Sequence, residues 1–328
     1  MEGLIAAGFL LAGIIGLYFG ADWLVRGSVS LALKLGIPPV IVGLTIVAFG
    51  TSSPELIVSF NAGRTGNADI AIGNVIGSNI ANIALILGAA AMIRPIVMNI
   101  RAVRFDVIFM LLVSGLLSYL VLDRNLGRAD GLLFLAGITA YIGYKIYQSM
   151  RKMREGKAEE LNGETGEVIE EAAARGFSYG QAAMVILAGI VVLAVGSELF
   201  IRGAVTMARM LGVSNVVIGL TVVAFGTSLP ELATSVLAAA KGEGDVSLGN
   251  VVGSNIFNIL FILGATASLF PIGTGDVNLV DLLVMIGTSL LIIPISLIGG
   301  RVTRPEAAVL LAIYGGYVYY LYAMHGGG

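Results

Sequence analysis

The sequence contains no cysteine, a single histidine and few charged residues, which make up 12% of its 328 positions. The absence of cysteine excludes disulfide bonds and thiolate metal sites. Because the one histidine, His325, lies outside the apolar stretches, imidazole ligation of zinc, copper or haem within them is excluded as well. We therefore expect no bound cofactor, and any metal ion must be held by oxygen atoms.

Hydrophobic residues account for 57% of the chain, a fraction too high for a soluble globule of this length. Ten stretches are apolar over the roughly 20 residues that a transmembrane helix needs. The sequence thus predicts an all-α polytopic membrane protein, surrounded by the lipid bilayer and with neither a nucleic acid nor an obligate protein partner. The stretches are residues 3–24, 38–63, 69–92, 104–122, 130–149, 179–201, 213–240, 246–270, 278–299 and 304–324.

The distribution of basic residues predicts how these helices are oriented. With ten spans, the connections on one side of the membrane hold fourteen Lys and Arg residues, and those on the other side hold five. Since cytoplasmic connections carry the excess of basic residues, we expect both termini outside and residues 151–177 inside. The lack of a recognisable regulatory domain favours a prokaryotic cell membrane.

An internal duplication relates the two halves of the chain by a shift of 176 residues. Residues 36–59 match residues 212–235 at 15 of 24 positions, and residues 73–90 match residues 249–266 at 13 of 18. This identity exceeds what shared hydrophobicity alone would produce.

Each copy of the duplication holds five of the ten apolar stretches. Because five is odd, the second copy crosses the membrane in the opposite sense to the first, which makes the copies inverted repeats. We expect an N-terminal five-helix repeat over residues 1–150, a cytoplasmic linker loop over 151–177 and a C-terminal five-helix repeat over 178–328.

Each repeat carries a polar phrase within its second apolar stretch: Gly50-Thr51-Ser52-Ser53-Pro54-Glu55 in one and Gly226-Thr227-Ser228-Leu229-Pro230-Glu231 in the other. A carboxylate inside a membrane helix marks a functional site by default. No Lys or Arg lies at the depth of Glu55 and Glu231 in the apolar stretches. Both acids therefore need a bound cation or a proton.

Pro54 and Pro230 predict breaks in helices 2 and 7, because proline removes a backbone hydrogen bond and clashes with the carbonyl four residues earlier. Carbonyls freed inside a membrane must be buried in protein or line a wet cavity. Four hydroxyl residues flank the breaks and are included in the candidate site: Thr51, Ser52, Thr227 and Ser228.

A second phrase, Gly-Asn-Val-x-Gly-Ser-Asn-Ile, adds a polar stripe whose residues recur every four positions on one helix face. Glycine pairs at this spacing are usually packing devices, and Ser or Asn can simply link helices. Duplicated placement beside the carboxylates favours a binding role for Ser78, Asn82, Ser254 and Asn258. The full stripes are Asn74, Ser78 and Asn82 in the first half and Asn250, Ser254 and Asn258 in the second.

Carboxylate, hydroxyl and carbonyl oxygens together suit a hard cation. Ca²⁺ takes about six to eight oxygens in flexible geometry and Na⁺ can share them, whereas Mg²⁺ resists dehydration. The site is therefore expected to carry Ca²⁺, Na⁺ or protons. Another symmetric acidic pair, Asp22 and Glu198, lies four residues before Arg26 and Arg202, and we interpret it as two local helix ion pairs outside the site.

The duplicated phrases resemble the α-repeats of the cation/Ca²⁺ exchanger superfamily, in its prokaryotic Na⁺/Ca²⁺ exchanger-like, K⁺-independent branch. The resemblance covers the whole chain and implies that helices 2, 3, 7 and 8 surround a central site while helices 1 and 6 slide as a gate. The implied Ca²⁺ ligands are Glu55 and Glu231 with backbone oxygens of Thr51 and Thr227. The implied Na⁺ ligands are the same two acids, Ser78, Ser254 and main-chain oxygens near Ala48 and Ala224, with Asn82 and Asn258 completing the site.

Two departures narrow this resemblance. Some family members, K⁺-dependent ones among them, have Asp where this chain has Asn258, so here the centre holds only two carboxylates and K⁺ co-transport is disfavoured. The Gly-Asn-x-x-Glu phrase typical of the H⁺/Ca²⁺ branch is missing at Asn74 and Asn250.

The sequence therefore predicts a secondary active antiporter that exchanges Ca²⁺ for Na⁺ by alternating access at a two-glutamate site. A H⁺/Ca²⁺ antiporter is the nearest alternative, and a passive Ca²⁺ channel would use the same oxygens without counter-ion coupling. An intramembrane aspartyl protease needs a Tyr-Asp phrase, which this chain lacks, so no enzymatic activity is expected.

Overall fold

The computed structural model describes residues 2–37, 39–97, 100–154, 177–211, 224–274, 277–298 and 300–325. Within these ranges the chain is almost entirely helical, with four strands of two residues each. Six helices are long and apolar enough to cross a bilayer, or seven if one bent pair counts as a single span. This confirms a predominantly helical membrane protein with six or more apolar helices.

The first half begins with a 34-residue helix and continues with a second helix that is broken in the middle. Its α-helical segments are α1 (Glu2–Leu35), α2 (Pro39–Val42), α3 (Ala48–Thr51), α4 (Ser53–Arg64), α5 (Ala68–Ile80), α6 (Gly88–Ile93), α7 (Ile100–Leu120) and α8 (Arg128–Arg154). The π-helical turns Gly43–Val47 and Ala81–Leu87 join α2 to α3 and α5 to α6. Strands β1 (Ile96–Val97) and β2 (Asn125–Leu126) flank α7, which a 3-10 turn, Val121–Asp123, follows.

The second half repeats this order where it is described. Its α-helical segments are α9 (Tyr179–Met210), α10 (Ala224–Thr227), α11 (Leu229–Ala240), α12 (Gly244–Phe257), α13 (Gly264–Leu269), α14 (Leu279–Ile298) and α15 (Arg304–His325). The π-helical turns Asn258–Leu263 join α12 to α13, and strands β3 (Ile272–Gly273) and β4 (Arg301–Val302) flank α14. A capping box starts α9, since Ser178 and Gln181 each accept the other's backbone N–H with a side-chain oxygen.

Several predicted boundaries can be compared with these helices. The apolar stretches 3–24 and 179–201 continue as helix to Leu35 and Met210. Helix α8 runs through Arg154, past the expected end of the first repeat at residue 150. Residues 155–176 of the expected linker and 213–223 of the seventh apolar stretch lie outside the described residues.

Helices α1 and α9 pack against each other in antiparallel directions, with glycines at the contact. Cβ atoms added at Gly13, Gly20 and Gly196 would lie 2.6 to 2.7 Å from backbone nitrogens of the opposite helix. Along α1 these contacts advance while along α9 they recede, from Phe200 to Leu193. Small residues thus bring the two backbones together, as expected where packing rather than burial from water drives helix association.

The most buried spans lie at the centre of the molecule. In an apolar 18-residue window of each continuous helix, 72% is buried in Ile70–Ile93 and 94% in Gly244–Leu269, against 28% in α1 and in α9. Two short antiparallel ladders tie the halves together, β1 with β4 and β2 with β3. Since β1 corresponds to β3 and β2 to β4 under the 176-residue shift, each half contributes one strand to each ladder, consistent with an approximate two-fold axis.

Candidate cation site

The two polar phrases form turns at the predicted helix breaks. Ser52 separates α3 from α4 with φ −81° and ψ 9°, and the two parts of this helix meet at 47°. Ser228 separates α10 from α11 with almost the same dihedrals, φ −86° and ψ 6°. Pro54 and Pro230 lie in the first turn of the following helices, where a missing backbone N–H costs little. The breaks therefore follow from the proline positions.

A backbone carbonyl at the second break accepts a side chain from outside its own helix. The Gly226 carbonyl, four residues before Pro230, accepts a 2.8 Å hydrogen bond from Ser197 of α9. Ser197 replaces a helical donor that proline cannot provide. The equivalent position in α1 is Ala21, so this contact has no counterpart by the same residue in the first half. The two breaks are thus alike in backbone but differ in their neighbours.

Serine hydroxyls at the breaks bind the carboxylates of the opposite half. Ser52 donates to Glu231 Oε1 at 2.9 Å, and Ser228 donates to Glu55 Oε1 at 3.2 Å. Thr51 also lies beside Glu231, and Thr227 beside Glu55. These crossed contacts bring together the two acids that the sequence places 176 residues apart. Both acids are 1% exposed.

Each carboxylate keeps one oxygen free of hydrogen-bond donors. Glu55 Oε2 and Glu231 Oε2 are fully buried and have no hydrogen-bond partner among the described residues. A buried anionic oxygen without a donor is costly. No Lys, Arg or His among the described residues forms an ion pair with either acid. These two oxygens are therefore chemically suited to bind a cation.

The first residue of each polar stripe, Asn74 or Asn250, forms side-chain hydrogen bonds to neighbouring helices. Asn74 donates to Ser59 at 3.0 Å and Asn250 to Ser235 at 2.9 Å, which ties each stripe to the helix that carries the nearby glutamate. The side-chain oxygen Oδ1 of Asn250 accepts a hydrogen bond from the Thr51 hydroxyl of the other half at 3.1 Å. Asn74 and Asn250 therefore use their side chains to hold helices together.

The later stripe residues differ from Asn74 and Asn250, because most of their side-chain oxygens have no hydrogen-bond partner among the described residues. Ser78 Oγ lies 3.4 Å from Ser228 Oγ and so joins the group around Glu55. Ser254 Oγ, Asn82 Oδ1 and Asn258 Oδ1 are buried oxygens without a hydrogen-bond partner in the described structure. Together with the two glutamate oxygens they make five of the nine buried side-chain oxygens that have no hydrogen-bond partner in the described structure.

The remaining expected residues contribute backbone. The Ala48 carbonyl accepts the N–H of Ser52 at 3.0 Å and lies 3.4 Å from the Thr51 hydroxyl oxygen, and Ala48 is fully buried. Ala224 is the first residue of α10, and its side-chain surroundings lie outside the described residues. Hydrogen bonds thus gather break residues, Asn74, Ser78 and Asn250 around the two glutamates. Asn82 and Asn258 bond instead to Asn255 and Asn79.

Comparison with known proteins identifies the family. The model for the family described as sodium/calcium exchanger protein matches residues 5–150 and 181–323. The chain belongs to this sodium/calcium exchanger family. This exchanger is 39% identical to CaxA of Alkalimonas amylolytica over 98% of its own length and 99% of that protein. It is 33% identical to the sodium/calcium exchanger MaX1 of Methanosarcina acetivorans over 93% and 95% of the two chains.

A solved structure also matches the exchanger over almost its full length. The sodium-calcium exchanger NCX_Mj, from a crystal soaked with Na⁺ and Sr²⁺, superposes with a TM-score of 0.81 and 31% identity, covering 96% of this chain and 98% of that chain. Crystals soaked with Na⁺ and Ca²⁺ give a TM-score of 0.79 at 30% identity, over 96% and 97% of the chains. The fold and the family assignment agree.

Three features of the exchanger were not predicted from its sequence. Asn79 and Asn255 bond across the halves, although their presence in both copies of Gly-Ser-Asn was a visible signal. Asp22 forms an ion pair with Lys241 as well as with Arg26, so its interpretation as a purely local pair was incomplete.

The third feature is a buried ion pair between α7 and α8. Lys145 Nζ lies 2.9 Å from Asp106 Oδ2, and Tyr141 donates to Asp106 Oδ1 at 2.9 Å. Lys145 is only 2% exposed, although it is one of the fourteen basic residues assigned above to the connections on one side of the membrane. Because Lys145 lies near the end of an apolar stretch, the sequence did not indicate its pairing with Asp106, 39 residues earlier.

Proposed function

We propose that this protein is a secondary active antiporter that exchanges Ca²⁺ for Na⁺ by alternating access at one central site. One observation carries the proposal: two buried carboxylates from different halves, Glu55 and Glu231, each present an oxygen that has no hydrogen-bond donor in the described residues. The site binds its ions as transported substrates, and the protein performs no enzymatic reaction.

Charge explains why two different ions compete for the same oxygens. One Ca²⁺ neutralises the two carboxylates, whereas Na⁺ needs two copies to do so and a third copy makes the cycle electrogenic. The empty site holds two like charges in a region shielded from water, which opposes movement of the gate. Ion loading by either species removes that obstacle, so exchange is coupled.

The proposed ligands are the oxygens that have no hydrogen-bond donor and the residues at the helix breaks. Ca²⁺ is held by the two glutamates and by backbone oxygens at Thr51 and Thr227, with Ser52 and Ser228 fixing the acids. Na⁺ uses the glutamates with Ser78, Ser254 and main-chain oxygens near Ala48 and Ala224. Asn82 and Asn258 supply amide oxygens at the centre. The buried oxygens of Asn82, Asn258 and Ser254 support this assignment.

The proposed architecture has ten transmembrane helices as two inverted five-helix repeats, residues 1–150 and 178–328, joined by a cytoplasmic linker at 151–177. Antiparallel packing of the corresponding helices α1 and α9 supports the inversion. Strand exchange between the halves supports the two-fold relation. The protein resides in a prokaryotic cell membrane with both termini outside, in keeping with the basic residues of its connections.

Helices α1 and α9 form the proposed gate. Their contact is lined by glycines and presents backbone to backbone, so it offers few interlocking side chains to resist sliding. Helix α9 also reaches both breaks: Cβ atoms added at Gly50 and Gly226 would meet Ile190 and Ile201. Movement of this pair along its own axis would therefore change what covers the site.

Ca²⁺ uptake into proteoliposomes tests the coupling ion. We expect uptake when Na⁺ is loaded inside, loss of that uptake with a Na⁺ ionophore, and little effect of a protonophore. Uptake driven by an imposed pH gradient alone would assign the protein to the H⁺/Ca²⁺ antiporters. Ca²⁺ flux without any counter-ion gradient would make it a channel.

Variants connect the flux to the site. Glu55→Gln removes one of the two central charges and is expected to abolish Na⁺-driven Ca²⁺ uptake. Glu198→Gln is the matched control, because Glu198 is a largely exposed acid paired with Arg202. Substantial Na⁺-driven uptake by Glu55→Gln would remove the two-glutamate site from the proposal.

A further inference from the structure

The amide groups of Asn82 and Asn258 have their oxygen atoms free and their nitrogen atoms occupied. Asn82 Oδ1 and Asn258 Oδ1 are buried without a hydrogen-bond partner among the described residues. An amide has a donor end and an acceptor end of nearly equal shape. Only the oxygen end attracts a cation, so the orientation of these two groups decides whether they help or hinder binding.

Two backbone carbonyls set this orientation. Asn79 Nδ2 donates to the Asn255 carbonyl at 3.3 Å, and Asn255 Nδ2 donates to the Asn79 carbonyl at 3.2 Å. A backbone carbonyl can only accept a hydrogen bond. The nitrogen end of each side chain must therefore face the partner's backbone, which fixes where its oxygen points.

The fixed oxygens then orient the next pair of amides. Asn79 Oδ1 accepts from Asn258 Nδ2 at 3.0 Å, and Asn255 Oδ1 accepts from Asn82 Nδ2 at 2.9 Å. With its nitrogen held in this way, each of Asn82 and Asn258 has its oxygen turned to the side without donors. Asn82 is the second residue, and Asn258 the first, of π-helical turns, which are frequent at functional sites.

We propose that Asn79 and Asn255 are positioning residues that turn the amide oxygens of Asn258 and Asn82 toward the transported cation. The proposal rests on the proposed function only in taking the donor-free oxygens as a cation site. Each half thereby orients a ligand of the other half, because Asn79 acts on Asn258 and Asn255 on Asn82. The cross-half pairing gives a test that a simple packing role would fail.

The test measures Ca²⁺ binding to the purified full-length protein by titration calorimetry in Na⁺-free buffer. Asn79→Ala removes the acceptor that holds Asn258, and we expect about 10- to 100-fold weaker Ca²⁺ binding, the usual effect of losing a partner that orients a ligand. A carboxylate has no donor end to misplace. In an Asn258→Asp background, Asn79→Ala should therefore change Ca²⁺ affinity less than about twofold relative to Asn258→Asp alone, a margin within typical additivity error.

The wrong-partner combination is the matched control. In an Asn82→Asp background, Asn79→Ala should keep its full effect, because Asn255 still holds that position and Asn258 is still an amide. Equal loss in both backgrounds, or no loss in the single variant, would overturn the proposal. Thermal unfolding of every variant in detergent separates a change in affinity from a change in stability.

The mirror set guards against a variant that does not fold. Asn255→Ala should be suppressed by Asn82→Asp and not by Asn258→Asp. If both alanine variants fail to fold and neither aspartate restores them, the residues form a structural clasp and the proposal is wrong. If the wild-type protein binds Ca²⁺ but moves it under a pH gradient, the proposed coupling to Na⁺ fails while the binding test still decides the orientation.

Discussion

Asp22 of α1 forms an ion pair with Lys241, the residue that follows α11, and also accepts a hydrogen bond from Arg26 in its own helix. The corresponding acid of the second half, Glu198, pairs with Arg202 and has a side chain that is 58% exposed. Among the described residues, only the first of these equivalent acids forms an ion pair between a helix of the proposed gate and the end of a broken helix. The contact must separate if α1 slides past α11.

Removing this contact should favour the conformation in which the gate has moved. The pair is intermediate between exposed and fully buried ion pairs, and we assign it about 1–2 kcal/mol, or roughly a 5- to 30-fold change in population. Because the chain has no cysteine, Ser247→Cys places a single thiol at a fully buried position in the first turn of α12. Lys241→Ala should speed its modification by a soluble thiol reagent about fivefold or more.

Glu198→Gln provides the comparison for this experiment. It removes an exposed pair on α9, the other helix of the proposed gate, so the labelling rate of Ser247→Cys should stay within about twofold of that of Ser247→Cys alone. Equal labelling rates with and without Lys241 would mean that the ion pair does not restrain the gate.

The crossed serine contacts should matter for ion affinity. Ser52→Ala leaves Glu231 Oε1 without its 2.9 Å donor, and Ser228→Ala does the same to Glu55. We expect each to weaken Ca²⁺ binding about 10-fold, since a hydrogen bond to a charged group contributes about 1.5–3 kcal/mol. The effect appears as a higher Ca²⁺ concentration for half-maximal uptake.

The neighbouring serine tests whether the effect belongs to the contact. Ser53 donates across the break to the Phe49 carbonyl of α3 at 3.1 Å and contacts neither glutamate in the described hydrogen bonds. Ser53→Ala should therefore leave the half-maximal Ca²⁺ concentration within about twofold. A comparable loss in Ser53→Ala would point to a general effect at the helix break.

Local pattern was sufficient for the breaks and the carboxylates but not for their partners. Pro54 and Pro230 fix backbone geometry within a few residues, so their effect could be predicted from one stretch of sequence. The orientation of Asn82 depends on Asn255, which lies 173 residues later in the other half. Rules based on neighbouring residues cannot predict a contact at that separation. Helical spacing predicted that Asn74 lies on the same face as Ser78. The Asn74 side chain instead donates a hydrogen bond to Ser59 of α4.

The ion pairs were harder to predict for a similar reason. Asp22 has a good local partner in Arg26, which concealed its contact with Lys241 at a separation of 219 residues. Lys145 was interpreted as one of the basic residues that indicate the cytoplasmic side of the membrane. Burial on α8 converts it instead into a partner for Asp106, which only the packing of α7 against α8 reveals.

The glycine contact between α1 and α9 should control transport rate more than ion affinity. A Cβ atom at Gly196 would lie 2.7 Å from the backbone nitrogen of Leu17, so Gly196→Ala forces the helices apart. Overpacking of this kind typically costs about 1–3 kcal/mol. We expect at least a severalfold lower rate of Na⁺-driven Ca²⁺ uptake, with Ca²⁺ binding by calorimetry little changed.

Gly8→Ala is the control for that substitution. Gly8 also lies in α1, but no atom lies within 4 Å of a Cβ atom added there. Its uptake rate should match the wild type. Should Gly196→Ala lower Ca²⁺ affinity as strongly as it lowers the rate, the α1–α9 contact would be shaping the site rather than the movement of the gate.

The buried pair of Asp106 and Lys145 should stabilise the fold only as a pair. Lys145→Leu leaves the Asp106 carboxylate buried with Tyr141 as its hydrogen-bond donor, and we expect a loss of about 3–5 kcal/mol. The second half provides a replacement, because the positions that correspond to Asp106 and Lys145 under the 176-residue shift are Leu282 and Leu321.

The double variant Asp106→Leu with Lys145→Leu reproduces that apolar pairing and should recover most of the lost stability, since replacing a buried ion pair by apolar residues is often neutral or stabilising. Thermal unfolding in detergent measures the effect, and Na⁺-driven Ca²⁺ uptake by the double variant should remain near wild type because neither residue contacts the central network in the described hydrogen bonds. A double variant that folds well but does not transport would instead place Asp106 and Lys145 in the transport cycle, with Met110, one turn after Asp106 and in contact with Asn255, as the connection to the site.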